Sequence, residues 1–482
     1  MDQLPGNVDE LGTPLLAVAS PTRRTPIGRC GEVHKTDGIR YSRYCIPSSL
    51  EKRNGDLVNY PRKVAVLGGN RIPFARAGKA YRNVSNQDML TAALDGLVAR
   101  FSLQGELLGD VAAGAVLKHA KDFNLTREAV LGSALDSRTP AIDLQRACAT
   151  GLDGIGFVAN KIAAGQIEVG IGGGVDSTSD APIEVSTELR KILHKAFAAR
   201  STKDRLKALA AIRPGHLKPS APSAAEVRTG LNMGQHQAKS TERWNVTREE
   251  QDEIAFESHK NLMAAYERGF FDDLMTGYQG LARDENLRVS TMEKLGSLKP
   301  VFGGPEGTMT AGNSTPLSDG ASTVLIASED WAEEHGHQPL AYIRDIHTRS
   351  VDFPSGADLL SAPAYAAPEM LARNGLTLED MDFVEIHEAF ASTVVMILKA
   401  WEDEEFSKNE LGLDGAFGTV PRDRLNVHGS SLAAGHPFAA TGGRIVASLA
   451  KMLYEAGPGK LGLISICAAG GQGTVALLES AR

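Results

Sequence analysis

The chain has 482 residues, 42% hydrophobic and 23% charged, with 50 glycines and four cysteines. That length asks for two or three cores, and the composition is that of a soluble globular protein. A net charge of −8 argues against general nucleic-acid binding, and no apolar run approaches the roughly 20 residues that span a bilayer. The few cysteines match no zinc spacing and argue against a disulfide framework, which predicts a reducing, cytoplasmic setting.

Residues 1–61 hold Pro5, Pro14, Pro21, Pro26 and Pro47 among mixed charges and show no sustained period. They read as a loosely ordered extension or an upstream start. Arg23, Arg24 and Arg29 suit a transit peptide, but Asp2, Asp9 and Glu10 speak against one. From Arg62 strands and helices alternate. Lys63–Leu67 is a buried-strand pattern, followed by a predicted turn at Gly68-Gly69-Asn70. No G-x-G-x-x-G follows, so this is not a dinucleotide fingerprint. Gln87–Phe101 has helical periodicity, Val111–Leu117 reads as a strand and Thr126–Leu135 as a helix.

Ala141–Leu144 is strand-like and gives way at Cys148 to a helix. In that helix Leu152, Ile155, Ala159 and Ile162 recur at helical spacing until Gly165. Ile167–Ile171 reads as a strand closed by Gly172-Gly173-Gly174. Residues 181–300 are helix-rich. Between Leu189 and Lys218 they carry nine Lys/Arg and one acid, a local excess of +8. This stretch is a solvated helix face, a site for CoA phosphates, a peripheral membrane contact or a partner surface. Phe383–Ile386 is strand-like. Pro437 suits the first turn of a helix over Phe438–Glu455, ended by Gly457-Pro458-Gly459. Leu461–Ile466 is a strand, and Gly470-Gly471-Gln472-Gly473 follows. Helix, strand and glycine-rich turn thus recur in both halves, a weak sign of an internally duplicated α/β unit.

Four segments carry reactive side chains: Cys148 in RACATG, His387 in IHEAFA, His436 in AAGHPFAATGG and Cys467 in ICAAGGQG. Each has a dull alternative: a small buried hydrophobe, a helix N-terminal polar pair with Glu388, a turn histidine and a strand-end cysteine. The sharper reading starts at Cys148. A helix N-terminus favours its thiolate, and small neighbours leave room for a carbonyl. His436, before a predicted helix start, stays neutral under the helix dipole and serves as its base. His387 can donate to a developing oxyanion, and the glycines after Cys467 free backbone N–H groups for the same task.

Taken together, RACATG, GGVDSTSDAP, TMTAGNSTPLSDGAS, HEAFA, NVHGSSLAAGHPFAATGGR and CAAGGQG resemble the thiolase family, from about Arg62 to Leu478. The resemblance implies an α/β fold: a five-layered αβαβα core of two duplicated halves with an inserted helical loop domain. It divides the chain into an N-terminal half (62–180 and 301–335), a loop domain (181–300) and a C-terminal half (336–482). It also implies that Cys148 is acylated, that His436 activates it and helps hold an oxyanion, and that Cys467 exchanges the substrate proton. Backbone N–H groups of Cys148 and Ala469 would form a second oxyanion hole. Met233 and Thr315 would line the pantetheine channel. Coenzyme A is then a substrate, and neither metal nor other cofactor is called for.

Many thiolases have N-E-A-F where this chain has His387-Glu388-Ala389-Phe390. The histidine form resembles the β-subunit of the trifunctional fatty-oxidation complex and its bacterial relatives. That points to degradative cleavage of 3-ketoacyl-CoA, with short-chain acetoacetyl-CoA chemistry as the alternative. A homodimer or homotetramer is implied, and a hydratase/dehydrogenase partner subunit is a further expectation. Two rivals remain. A decarboxylating ketosynthase also uses a Cys–His–His set but needs no second thiol, and a silent acyl-CoA carrier would need none of the four residues.

Overall fold

The computed structural model describes residues 60–220 and 225–482, so the expectation for the N-terminal extension falls on residues 1–59, outside the described part. Two sets of strands follow one plan. In the first, Ala141–Asp143, Asp110–Ala113, Val169–Ser177, Ser318–Ser328 and Val64–Arg71 lie side by side in that order. In the second the order is Phe383–Ile386, Leu461–Ala468, Gln472–Ser480 and Ala341–Ser350. The first set has two parallel pairs and the second has one, and in each two antiparallel pairs follow. The sets join where Ala65 and Val66 pair with Tyr342 and Ala341.

Strand alternation sorts the side chains into three cores. Val64, Val66, Val324 and Ile326 from the first set share a core with Ile464, Ile466, Ala476 and Leu478 from the second. Two helices fill that space, Thr150–Ala163 and Thr441–Ala456, and both are buried along most of their length. The opposite faces of the strands meet outer helices. Ala65, Leu67, Val111 and Leu325 pack with Met89, Leu94 and Leu97 of Asn86–Phe101. Leu463, Val475 and Leu477 pack with Met370 and Leu371 of Ala362–Arg373 and with Val394 and Ile397 of Ala391–Glu402. The five layers run helix, sheet, helix, sheet, helix.

The two halves differ in one connection. After Cys467 the chain turns through Ala469, Gly470 and Gly471 straight into Gln472–Ser480, with both glycines at positive φ. The matching connection in the first half runs from Ser177 to Ser318 and carries the helices Thr187–Ala198, Thr202–Leu209, Met233–Arg243 and Arg248–Glu267.

Several sequence expectations need correction. Gly68, Gly69 and Asn70 form no turn; they continue the first strand to Arg71, with a bulge between Val66 and Gly68. Gly172, Gly173 and Gly174 likewise lie inside a strand. There the helix Thr150–Ala163 comes so close that a Cβ on Gly172 would sit 2.5 Å from the Ile155 Cα. Glycine here signals close backbone approach rather than a reversal of direction. The Val111–Leu117 strand stops at Ala113, because the N–H groups of Val116 and Leu117 turn to the Asp176 carboxylate. Cys467 is inside its strand, not at its end.

Candidate active site

The two central helices bring their N-termini together, and small residues permit it. A Cβ on Gly151 would lie 2.5 Å from the Ala439 carbonyl oxygen and 3.1 Å from the Gly443 nitrogen. The residues leading into the two helices therefore converge. Ahead of Thr150–Ala163 the chain bends sharply: Ala147 takes φ 43°, an uncommon conformation for a residue with a side chain. Thr150 Oγ1 stabilises this bend by accepting from the Arg146 N–H at 2.8 Å and donating to the Ala147 carbonyl at 2.7 Å. The bend presents Cys148. Ahead of Thr441–Ala456, Gly435 (φ 103°) presents His436, whose N–H donates to Ser318 Oγ at 3.2 Å.

His436 Nε2 lies 3.1 Å from Cys148 Sγ, and His436 Nδ1 lies 2.6 Å from Thr441 Oγ1. His387 Nε2 approaches His436 Nε2 to 3.2 Å, while its Nδ1 lies 2.8 Å from Ser431 Oγ. The Cys148 sulfur and one nitrogen of each ring all fall within 4.8 Å of one another. Glu388 does not join them. Its carboxylate accepts from Ser258 Oγ, Asn426 Nδ2 and the Leu432 N–H, which ties the segment after Phe383–Ile386 to helix Arg248–Glu267. Nor are His387 and Glu388 a helix-terminal pair, since the next helix starts at Ala391.

Burial dominates the electrostatics. It holds His436 down to about 3, with the Arg444 cation a smaller cause, so the ring is neutral at ordinary pH. His387 is held well below the ordinary histidine range by burial, then by His436 and Arg444. The expected lowering of the Cys148 thiol is also corrected. Burial, followed by the Asp176 carboxylate, pushes it up to about 12 against N–H groups of Ala469 and Cys148 itself. Burial also raises the Cys467 thiol, with Cys148 as the next cause. Asp176 joins the halves by accepting from Val116, Leu117 and Ala439 N–H groups.

The remaining sequence candidates gather here too. The Ala469 N–H acts on the Cys148 sulfur. Met233, the first residue of its helix, packs with Cys467, Leu359, Leu360, Phe353 and Phe390. Thr315 bonds the Ala389 carbonyl through Oγ1 at 2.9 Å, beside His387 and Glu388. Sequence reasoning missed Ser431, Thr441, Arg444 and Asp176, although all four stand within the quoted motifs. Their spacing from His436, five residues to Thr441 and eight to Arg444, was the available signal.

The fold and site define a two-halved α/β enzyme with a cysteine in contact with a histidine pair between the halves. The Thiolase, N-terminal domain family matches residues 64–330, and the Thiolase, C-terminal domain family matches residues 337–480. The chain belongs to the thiolase family. It is 41% identical over 437 residues to a 3-ketoacyl-CoA thiolase of Pectobacterium atrosepticum, covering 89% of this chain and 98% of that relative. A 3-ketoacyl-CoA thiolase of Yersinia enterocolitica is 38% identical over 440 residues, covering 90% and 99%. The crystal structure of human mitochondrial 3-ketoacyl-CoA thiolase in complex with CoA superposes with a TM-score of 0.73 at 28% identity, covering 88% of this chain and 99% of that one. The Bacillus anthracis acetyl-CoA acetyltransferase gives 0.72 at 28% identity, covering 87% and 99%.

Proposed function

We propose that this acyltransferase cleaves 3-ketoacyl-CoA with CoA, through an acyl-enzyme on Cys148, and that it serves fatty-acid β-oxidation. The observation that carries the reading is the contact of Cys148 Sγ with His436 Nε2 at 3.1 Å, with His387 alongside and Cys467 near enough for the two thiols to act on each other electrostatically. A thiol pushed up to about 12 is not ionised at rest. Its proton therefore passes to His436 as the sulfur attacks the 3-keto carbon. The tetrahedral oxyanion takes hydrogen bonds from backbone N–H groups of Cys148 and Ala469. Carbon–carbon cleavage releases the acetyl-CoA enolate, whose oxygen is held by His436 and His387 and whose carbon takes the Cys467 proton. Incoming CoA gives its thiol proton to the Cys467 thiolate and attacks the acyl carbon, and the departing Cys148 sulfur takes back the proton held by His436. Run backwards, Cys467 takes the α-proton and the same groups perform a Claisen condensation.

The apolar wall of Met233, Phe353, Leu359, Leu360 and Phe390 beside Cys467 suits an acyl chain or a pantetheine arm. Comparing a four-carbon with a sixteen-carbon 3-ketoacyl-CoA tests the reading. Preference for the long chain supports a β-oxidation role. Activity restricted to acetoacetyl-CoA makes the enzyme an acetyl-CoA acetyltransferase. No cleavage of either, with CO₂ released from a malonyl thioester, refutes the proposal for a ketosynthase.

A cytoplasmic, homo-oligomeric enzyme with a hydratase/dehydrogenase partner subunit belongs to the same proposal. Among the described residues no helix is long and apolar enough to cross a membrane. The basic stretch forms the helices Thr187–Ala198 and Thr202–Leu209, with Phe197, Leu206 and Leu217 exposed among its cations. That combination supports a peripheral contact with anionic lipid. Co-sedimentation with anionic but not neutral vesicles is the expected outcome.

A further inference from the structure

Arg444 lies three residues into helix Thr441–Ala456, buried at 5% exposure between the two sheets. Its Nη2 donates to Ser430 Oγ at 3.1 Å and to Ser431 Oγ at 3.0 Å, and its Nε has no partner among the described residues. Glu385 and Glu388 act on it only through space, alongside Arg71 and Asp284. A buried cation held by two hydroxyls is costly, and an apolar side chain would fill the same volume at lower cost. What the guanidinium offers instead is a one-way constraint, because it has donors and no acceptor.

That constraint propagates. Ser431 Oγ accepts from Arg444, and the acceptor the described residues offer its own hydrogen is His387 Nδ1 at 2.8 Å; accepting from both neighbours would leave that hydrogen buried and unpaired. His387 Nδ1 is then an acceptor, and a neutral imidazole carries its one proton on Nε2. The next contact, His387 Nε2 to His436 Nε2 at 3.2 Å, holds one hydrogen between two nitrogens. Two arrangements satisfy it. In one, His387 donates and His436 offers a lone pair to the Cys148 thiol. In the other, His436 donates and Cys148 faces an N–H with no base. Nothing in the two rings alone chooses between them.

We infer that Arg444 is a positioning residue: through Ser431 it fixes the His387 proton on Nε2 and so leaves His436 Nε2 free to take the Cys148 proton. On the far side, the same arrangement puts the His436 proton on Nδ1, where Thr441 Oγ1 lies 2.6 Å away to accept it. Burial keeps both rings neutral, so tautomer rather than charge is the variable that is set. The same His387 Nε2–H is the donor that a substrate oxyanion would meet, so the inference rests on the proposed roles of His387 and His436.

The test uses the full chain with five variants: Ser431→Ala, His387→Ala, the double variant, and Arg444→Met beside Arg444→Lys. Ser431→Ala is expected to lower kcat for 3-ketoacyl-CoA cleavage by about 10- to 100-fold with KM unchanged, less than the full loss of an oxyanion donor. The double variant is expected to be no slower than His387→Ala, because Ser431 acts only through that ring. Nitrogen-15 NMR of labelled histidine should place the His387 proton on Nε2 in the native enzyme and mix the tautomers in Ser431→Ala. Arg444→Lys, still a pure donor, should keep more activity than Arg444→Met; if Arg444→Met does not fold, the serine variant decides. Native kcat in Ser431→Ala, losses that multiply in the double variant, or a native His387 protonated on Nδ1 would each overturn the inference. A fully active His387→Ala would sink the proposed role of His387 itself. An impaired His387→Ala beside a normal Ser431→Ala would sink only the relay.

Discussion

The two halves of this molecule are built alike and furnished differently. Each has a buried helix whose N-terminus points at one site, and each reaches that helix through a tight bend. The first half places Cys148 at the bend, and the second places His436 there. Past the helix each half runs a strand, and the strand of the second half carries Cys467 where the first has Val175 and Asp176. The second half then turns back within three residues, while the first inserts 140 residues before its closing strand. Duplication thus supplied two pointers to one place. Divergence put Cys148 in one half, His387, His436 and Cys467 in the other, and a helical insertion in a single connection.

The largest test of that division is Cys148→Ala. It should abolish acyl-enzyme formation from acetyl-CoA and all cleavage, as read by intact-protein mass and by CoA-dependent turnover; an acyl adduct elsewhere on the chain breaks the comparison. Cys467→Ala should still be acylated by acetyl-CoA yet fail to cleave the carbon–carbon bond, so full cleavage in that variant would strip the second half of its acid–base role. His387→Ala should cost about 10²–10³ in kcat, the usual worth of one oxyanion donor, measured under saturating substrate.

A smaller effect concerns charge. A thiol pushed up to about 12 is protonated throughout the neutral range, and its thiolate fraction grows about tenfold per pH unit below that value. Iodoacetamide adducts at Cys148, followed by peptide mass mapping, should therefore accumulate ever faster up to about pH 9.5 without levelling. A plateau near the ordinary thiol range of about 8.5 would mean that the nucleophile half does ionise at rest. The smallest expected effect is structural. Gly172→Ala should destabilise the fold by about 1–3 kcal/mol, seen as a lowered Tm, because its Cβ would press on Ile155 Cα in the helix that presents Cys148.

Much of this was legible along the chain. Leu152, Ile155, Ala159 and Ile162 mark one central helix by period alone, and Gly165 and Gly457 mark where the two central helices give out. Cys148, His387, His436 and Cys467 stood out because each is a reactive residue among small ones. The glycine runs were misread, because Gly68-Gly69 and Gly172–Gly174 have the composition of turns. Their reason for being glycine is a neighbouring backbone hundreds of residues away in some cases, as with the Ala439 carbonyl against Gly174.

The sequence by itself determined the chemical inventory, the periodicity of the central helices and the family to which the chain belongs. Those depend on residue identity and local spacing. Only the tertiary structure decided how the inventory is charged and wired. Desolvation keeps His436 neutral, and it raises rather than lowers the Cys148 thiol. The contacts from Arg444 through Ser431 to His387, on which the inferred tautomer rests, join segments far apart in the sequence. Burial and hydrogen-bond direction are properties of surroundings assembled from distant segments, and no window of sequence contains them.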